Sequence, residues 1–403
     1  MGDFFQNGPI TTLHDLRLRP YDELEADLTS WSEQRPMSLI IPSLYSELEG
    51  DALRHIVNEL SQVPFLDQII IGLDRANEDQ FAEAKEFFAK LPQHTRILWN
   101  DGPRMRRVDE IFADAKITPI EPGKGRNVWF CIGYYLASGR GEVVGLHDAD
   151  IVTYDRSMVA RLFYPVVHPT FGYSFAKGYY FRTDGERING RVARLLVTPL
   201  IRALRQCLGE SDYLDYLDAF RYPLAGEFAM HINVVRNIRI PSDWGLEVGV
   251  LSEVQRRYTT QRICQVDLAD AYDHKHQKVS FEDPTDGLHK MSRDITKALY
   301  RKLAIGGAVL SPEIFRTIKA SYYRIALDMV ERYGNVAAMN GLDFDSHSEE
   351  RLVEVFAQTI MEAGDDYLSH PMESPFIASW ARVQSAVPDA FHLIHEAVEA
   401  DNA

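Results

Sequence analysis

Between residues 37 and 146 the chain alternates short apolar runs with amphipathic stretches, and this rhythm restricts the fold more than any other feature of the sequence. Met37-Ser38-Leu39-Ile40-Ile41-Pro42 reads as a short buried strand ending at proline. In the next stretch, Asp51 to Leu60, residues Leu53, Ile56, Val57 and Leu60 share one helical face. Gln68-Ile69-Ile70-Ile71-Gly72-Leu73 is a strand by its β-branched content, and a helix from about Asp79 to Leu91 follows, with Phe81, Phe88 and Leu91 at core spacing. Thr95-Arg96-Ile97-Leu98-Trp99 is a third strand, about Gly125 to Ser138 a helix, and Glu142-Val143-Val144-Gly145-Leu146 a fourth strand. Such repeats close through right-handed crossovers, which predicts an α/β fold with a mostly parallel sheet flanked by helices. Ligands of these sheets bind beyond the C-terminal strand ends.

Residues 1–36 read as an irregular or helical lead-in. After about residue 165 the pattern changes: Phe171 to Phe181 is strand-like, Gly190 to Leu208 helical, and shorter strand or loop pieces lead to about His276. Helices are expected over Met291–Leu303, Pro312–Tyr333, Glu349–Ala363 and Pro375–Glu399. No run approaches the ~20 apolar residues of a membrane span, and Met1 to Pro20 lacks a signal-peptide core. These features predict a cytoplasmic chain without membrane contact. A net charge of -16 argues against nucleic-acid binding, so an anionic ligand needs local positive charge. Cys131, Cys207 and Cys264 are isolated, which supports neither a disulfide framework nor a zinc site.

Five segments carry chemistry. Asp148-Ala149-Asp150 directly follows the fourth strand, so its carboxylates emerge at the sheet's C-terminal edge. Two carboxylates so spaced can share Mg²⁺ or Mn²⁺ with diphosphate oxygens. Glu121-Pro122-Gly123-Lys124-Gly125-Arg126-Asn127 offers an anion free N–H groups, a helix N-terminus and two cations, without the Walker spacing of a P-loop. In Tyr272-Asp273-His274-Lys275-His276-Gln277 a histidine can complete a metal shell with Asp150; His274 is favoured and His276 second. Asn189-Gly190-Arg191-Val192-Ala193-Arg194, with Lys177, Arg182 and Arg187 upstream, suits a small anionic acceptor. Glu227 in Pro223–Phe228 and Glu247 in Ser242–Gly249 sit beside glycine and apolar residues, where a partly buried carboxylate needs a partner and sugar hydroxyls supply one. Each segment alone also fits a plainer role: a solvated loop, an ordinary helix start, surface histidines, a charged helix face or a structural ion pair.

In their order, these segments resemble the glucosyl-3-phosphoglycerate synthases, retaining glycosyltransferases with a GT-A nucleotide-binding fold. The likeness covers about Ser38 to His276 and rests on the Pro42-Ser43-Leu44 turn, the Pro-Gly-Lys-Gly loop, the Asp-x-Asp, Gly190-Arg191, Gly226-Glu227 and Gly245-Leu246-Glu247. The resemblance implies a sugar-nucleotide and acceptor-binding domain over 37–280 and a helical C-terminal region over 281–403, which dimerises the chain or covers the active site. It implies that Pro42, Ser43, Leu44, Glu47 and Asp74 hold base and ribose. Lys124, Asp148 and Ala149 complete the donor site, Asp148 through ribose or by supporting the metal shell. The metal aspartate of the family matches Asp150, and a downstream histidine completes the shell, with His274 favoured and His276 second. Glu247 lies near the sugar, so that Glu247, Asp148 and Lys124 form the catalytic group. Gly190, Arg191, Arg194 and Glu227 meet the 3-phosphoglycerate acceptor.

Two departures from the family stand out: its acceptor-binding threonine falls on Ala193, and Asp74-Arg75-Ala76-Asn77-Glu78 lacks the usual Ser-Gly-Ser/Thr run. The expected reaction moves glucose from a nucleoside-diphosphate-glucose to the 2-hydroxyl of 3-phosphoglycerate, in a homodimer. A GDP-mannose-dependent mannosyl-3-phosphoglycerate synthase is the near alternative. A sugar-nucleotide pyrophosphorylase and a non-catalytic sugar-nucleotide-binding protein are alternatives of other classes. The pyrophosphorylase would carry a basic, glycine-rich turn where Pro42-Ser43-Leu44-Tyr45 stands.

Overall fold

The structure, a computed structural model, describes residue 6 and residues 8–117, 123–274, 287–373 and 375–403. Ten strands appear in chain order: β1 (Thr11–Leu13), β2 (Met37–Leu44), β3 (Leu66–Asp74), β4 (His94–Trp99), β5 (Val143–Leu146), β6 (Phe175–Arg182), β7 (Phe228–His231), β8 (Ile240–Pro241), β9 (Ile263–Tyr272) and β10 (Phe376–Ile377). Eight form one sheet in the order β1-β9-β6-β7-β5-β2-β3-β4, and β8 pairs with β10. Within the large sheet β7 runs antiparallel to both neighbours, and every other pair is parallel. The mostly parallel sheet expected above is therefore present, with one antiparallel strand at its centre.

Period-2 alternation sorts the central strands between two cores. Ile40, Ile70, Leu98, Val144 and Leu146 face one core. Leu39, Ile41, Ile69, Ile71, Ile97 and Val143 face the other. Burial on both faces explains why these strands read as unbroken apolar runs. Helix Lys124–Ser138 covers the first face, and the C-terminal helices continue the same core through Leu299, Phe315, Phe356 and Ile394. Trp380 stacks on Trp129 with ring centroids 4.5 Å apart. Helices Asp51–Leu60 and Arg156–Val167 cover the second face.

The structure corrects several boundaries. The lead-in contains β1, paired with β9, and helix Tyr21–Ser32; three residues are too few to display a periodicity. Helix Pro103–Asp114 was not anticipated, because its polar Arg-Met-Arg-Arg start hides the buried Met105, Val108 and Phe112. Gly190–Leu208 opens with a π-helical stretch, Val192–Val197, before helix Thr198–Leu208. Pro375–Glu399 is not one helix. It begins with β10, continues as Trp380–Ala386, and resumes as Ala390–Asn402 after Pro388, whose ring cannot continue a helix. The other three C-terminal helices are longer than expected: Gly287–Ile305, Pro312–Asn340 and Ser346–Ser369.

Candidate active site

The strands β2, β3 and β4 step outward in one direction, while β5 lies on the other side of β2. The strand order reverses there, the place in such a sheet where ligands bind beyond the C-terminal strand ends. Ile40–Leu146 is the last β2–β5 pair, whereas β2 continues alongside β3 to Leu44. Pro42 lies on this stretch, where a residue without an N–H is tolerated. His147, just past the end of β5, still donates its N–H to the Ile40 carbonyl at 3.1 Å. Its ring is fully buried without a hydrogen-bond partner, and burial pushes the imidazole down to about 3, so it is neutral.

Ser43, Leu44, Glu47 and Asp74 follow along the same edge, at the ends of β2 and β3 and in the 3₁₀ turn Tyr45–Glu49. Asp74 accepts a hydrogen bond from Asn100 Nδ2 at 2.8 Å, and burial raises its carboxyl above the ordinary range.

Asp148, Asp150 and His274 come together beyond the end of β5, each with one ligand atom within 4.8 Å of the others. The Asp150 Oδ2 and His274 Nδ1 atoms are 3.6 Å apart. A backbone pairing brings His274 to Asp150: Ile151 and His274 form an antiparallel bridge, and Val152 N–H donates to the Asp273 carbonyl at 2.8 Å. His274 Nδ1 is buried without a hydrogen-bond partner. Two carboxylates and an unpartnered imidazole nitrogen form a donor set suited to Mg²⁺ or Mn²⁺. His276, Glu121 and Pro122 lie outside the described residues.

Beside this trio, Lys124 joins three chain segments. Its Nζ is 2.6 Å from Asp148 Oδ1 and 3.2 Å from Glu247 Oε1. Burial works to lower the Lys124 ammonium, but Asp148 and Glu247 outweigh it and hold the group well above its ordinary value. Burial likewise works to raise the Asp148 carboxyl, and the Lys124 charge prevails, so Asp148 stays below the carboxylate range.

Beneath them lies Glu227, with no exposed surface. The hydroxyls of Tyr180 and Tyr272 each donate to it at 2.7 Å, and the two rings stack with centroids 3.6 Å apart. Burial, seconded by Asp148, raises the Glu227 carboxyl. Lys177, also buried, donates to the Ala225 carbonyl, and burial pulls its ammonium down to about 8.

Gly226 makes this packing possible, since a Cβ there would stand 2.7 Å from the Asp148 carboxyl carbon. Gly226→Ala is therefore expected to push Asp148 out of place and to weaken Mn²⁺ binding about 10–100-fold, as changes behind a metal ligand do. The rise in Tm on Mn²⁺ addition measures this, and a wild-type Mn²⁺ titration would show that Asp148 does not need the space.

The second cluster surrounds Gly190, whose φ of +74° favours glycine. A Cβ there would meet Tyr222 Oη at 3.1 Å and Arg182 at 3.2 Å. Arg182 is buried, donates from Nη1 to Tyr222 Oη at 3.4 Å, and leaves Nε without a partner. Arg194 is buried too, with Nε donating to the Asn189 carbonyl at 3.1 Å and Nη2 to that of Ile188 at 3.3 Å. Arg191 is partly exposed and donates from Nε to Glu349 Oε1 at 3.0 Å. Ala193 lies buried in the π-helical stretch.

Asp243 caps the turn into helix Leu246–Arg257 by accepting from the Gly245 N–H at 2.9 Å. Burial, with Asp294 nearby, raises its carboxyl to about 6. A folded-state value above the unfolded ~3.9 means that the ionised form opposes folding. This penalty is absent below about pH 4 and complete once pH has risen through 6. Asp243→Asn should therefore stabilise the protein by at most about 2–3 kcal/mol at pH 7.5 and hardly at pH 4. Urea unfolding at both values checks this, and equal effects at both would refute it.

Reading the sequence missed Tyr180, Tyr272 and Glu349. Glu349 lies 158 residues from the arginine it meets, so no local spacing reveals it.

No family model matches the chain. The chain is 43% identical over 403 residues to the glucosyl-3-phosphoglycerate synthase of Persephonella marina, covering 100% of both. It is 40% identical over 406 residues to the glucosyl-3-phosphoglycerate synthase of Methanococcoides burtonii, covering 99% of this chain and 98% of that one. Among solved structures, the glucosyl-3-phosphoglycerate synthase of Mycobacterium tuberculosis in complex with Mn²⁺, UDP and glucosyl-3-phosphoglycerate superposes with a TM-score of 0.54 at 22% identity, over 73% of this chain and 88% of that one. The same enzyme with Mg²⁺ and UDP gives a TM-score of 0.53 at 22% identity, over 73% and 87%. At this identity the superposition establishes the fold.

Proposed function

The chain belongs to the glucosyl-3-phosphoglycerate synthase family, and on that basis we propose which of its residues move glucose from a nucleoside-diphosphate-glucose to the 2-hydroxyl of 3-phosphoglycerate. It is a hexosyltransferase, since two full-length relatives at 43% and 40% identity carry that activity in their names. The pyrophosphorylase, non-catalytic binding-protein and mannosyl alternatives are thereby set aside.

The observation that carries the residue assignment is the convergence of Asp148, Asp150 and His274 at the point where the strand order reverses. These three hold Mg²⁺ or Mn²⁺. When bound, the cation neutralises charge growing on the departing nucleoside diphosphate. Pro42, Ser43, Leu44, Glu47 and Asp74 cup base and ribose at the edge of β2 and β3, with Ala149 on the other wall. Lys124 competes with the cation for Asp148 and fixes Glu247 toward the sugar. Glu227 supports this layer from below, since a carboxylate with no exposed surface and two tyrosine donors has little left for a ligand.

The acceptor's charge falls to Arg191 beside the Gly190 turn. Arg182, with its unpartnered Nε, supplies a donor where Ala193 offers only a methyl group. Arg194, turned inward, supports this turn. The attacking hydroxyl delivers its proton to the leaving diphosphate on the same face, which gives transfer with retention.

Residues 37–280 form the donor and acceptor unit, and the helices of 281–403 close over it. None of the described helices is long and apolar enough to cross a membrane. The chain is assigned to the cytoplasm as a homodimer, for which sedimentation analysis is the check.

Incubating the protein with UDP-, GDP- or ADP-glucose, with and without 3-phosphoglycerate and Mn²⁺, tests the function. Nucleoside diphosphate release that requires both acceptor and cation is expected with at least one donor. Release with none of them would sink the assignment.

A further inference from the structure

We propose that Glu349, carried by helix Ser346–Ser369 of the C-terminal region, positions the Arg191 guanidinium and thereby sets affinity for the phosphoglycerate acceptor. The proposal rests on the assignment of Arg191 to the acceptor.

Glu349 is only 4% exposed, and a carboxylate so buried requires charged or hydrogen-bonding partners. It has two, and they differ. Oε2 meets Nη1 of Arg194. That guanidinium is buried and turned inward: its other nitrogens hold the Asn189 and Ile188 carbonyls, and the rings of Tyr333 and Phe344 lie 5.2 and 5.8 Å from it. Oε1 meets Arg191 at Nε. Arg191 retains 38% side-chain exposure, and among the described residues its two Nη groups have no partner. They form the end of the fork that takes a carboxylate or phosphate in a bidentate grip. One carboxylate between two guanidiniums leaves a net single positive charge, and Arg191 is the arginine of the pair that an anion can reach. An incoming anion can bind Arg191 without displacing Glu349.

The same C-terminal region grips this turn elsewhere. The Asp343 N–H donates to the Glu186 carbonyl at 2.8 Å, just before Gly190, and Tyr322 Oη donates to the Leu195 carbonyl at 2.7 Å, just after. The loop and the π-helical stretch flanking Arg191 are thus fastened from outside the sheet, and Glu349 extends that fastening to the side chain. An arginine held in this way has less rotamer freedom to lose when ligand arrives.

The test compares Glu349→Gln, Arg191→Gln and the double variant in steady-state kinetics with Mn²⁺. For Glu349→Gln the KM for 3-phosphoglycerate should rise about three- to tenfold, the size expected for one side chain no longer immobilised before binding. Its kcat at saturating acceptor and its KM for the donor should stay within about twofold. Arg191→Gln should raise the acceptor KM more, and adding Glu349→Gln to it should change that KM no further, because the effect passes through Arg191. A purely structural carboxylate would instead lower Tm and kcat without separating the two KM values. An unchanged or lowered acceptor KM in Glu349→Gln, or additive effects in the double variant, overturns the proposal. If Arg191→Gln itself leaves the acceptor KM unchanged, the acceptor assignment fails instead. Should Glu349→Gln not fold, Glu349→Asp keeps the charge beside Arg194 yet is too short to span both arginines, and the same rise in acceptor KM is required of it.

Discussion

Replacing Asp150 by alanine is expected to remove cation-dependent glucosyl transfer, lowering kcat/KM about a thousandfold. That factor corresponds to ~4 kcal/mol, within the several kcal/mol a divalent cation contributes when charge develops on a leaving diphosphate. Asp150 is the cleanest member of the trio to remove. Asp148 is also tied to Lys124 at 2.6 Å and packs against Gly226, so its loss disturbs more than the cation. His274 sits in the backbone bridge to Ile151, and its replacement also affects the end of β9. Asp150→Ala should unfold at nearly the wild-type Tm without metal. The wild type should gain stability on Mn²⁺ addition, as any protein does when a ligand binds only its folded state, whereas the variant should gain little. An Asp150→Ala enzyme with near-normal turnover and an unchanged Mn²⁺ requirement would remove Asp150 from the metal site.

The parts of this site that were legible in the sequence are those built from neighbouring residues. Asp148 and Asp150 are adjacent to a strand whose apolar run reveals burial on both faces, so their place at the sheet edge follows from the strand itself. Lys124 stands at a helix start marked by glycine. The approach of His274 to Asp150 was not legible, because it depends on the pairing of Ile151 with residue 274, a contact across 123 positions. Glu227 shows the same limit. Its glycine neighbour and apolar flank mark a carboxylate that needs partners, but the hydroxyls that donate to its two oxygens come from β6 and β9, 47 and 45 residues away. Failures in the fold have a related origin. β1 has three residues and gains its strand character from β9, and β10 exists because Phe376 and Ile377 meet β8. Where pattern length is short, tertiary pairing decides.

Lys124→Met should produce an enzyme that is less stable, nearly inactive and more responsive to metal than the wild type. Methionine keeps much of the side-chain volume and removes the charge that lies between Asp148 and Glu247. Asp148, Glu227 and Glu247 then remain as three carboxylates in one partly buried layer, with Lys177 as the cation still close to all three. The loss in stability should fall between the ~1 kcal/mol of an exposed pair and the ~3–5 kcal/mol of breaking a buried one, since the Lys124 side chain is 29% exposed. Freed of its ammonium, Asp148 carries more uncompensated charge toward Asp150 and His274. The Mn²⁺-induced rise in Tm should therefore exceed that of the wild type, even as turnover falls because Glu247 is no longer fixed beside the sugar. This opposition between tighter metal binding and lost activity separates Lys124 from Asp150, whose replacement weakens both. If Lys124→Met instead lost its response to Mn²⁺, the lysine would be holding the metal ligands in place rather than competing for Asp148, and the electrostatic account of the cluster would have to be reversed.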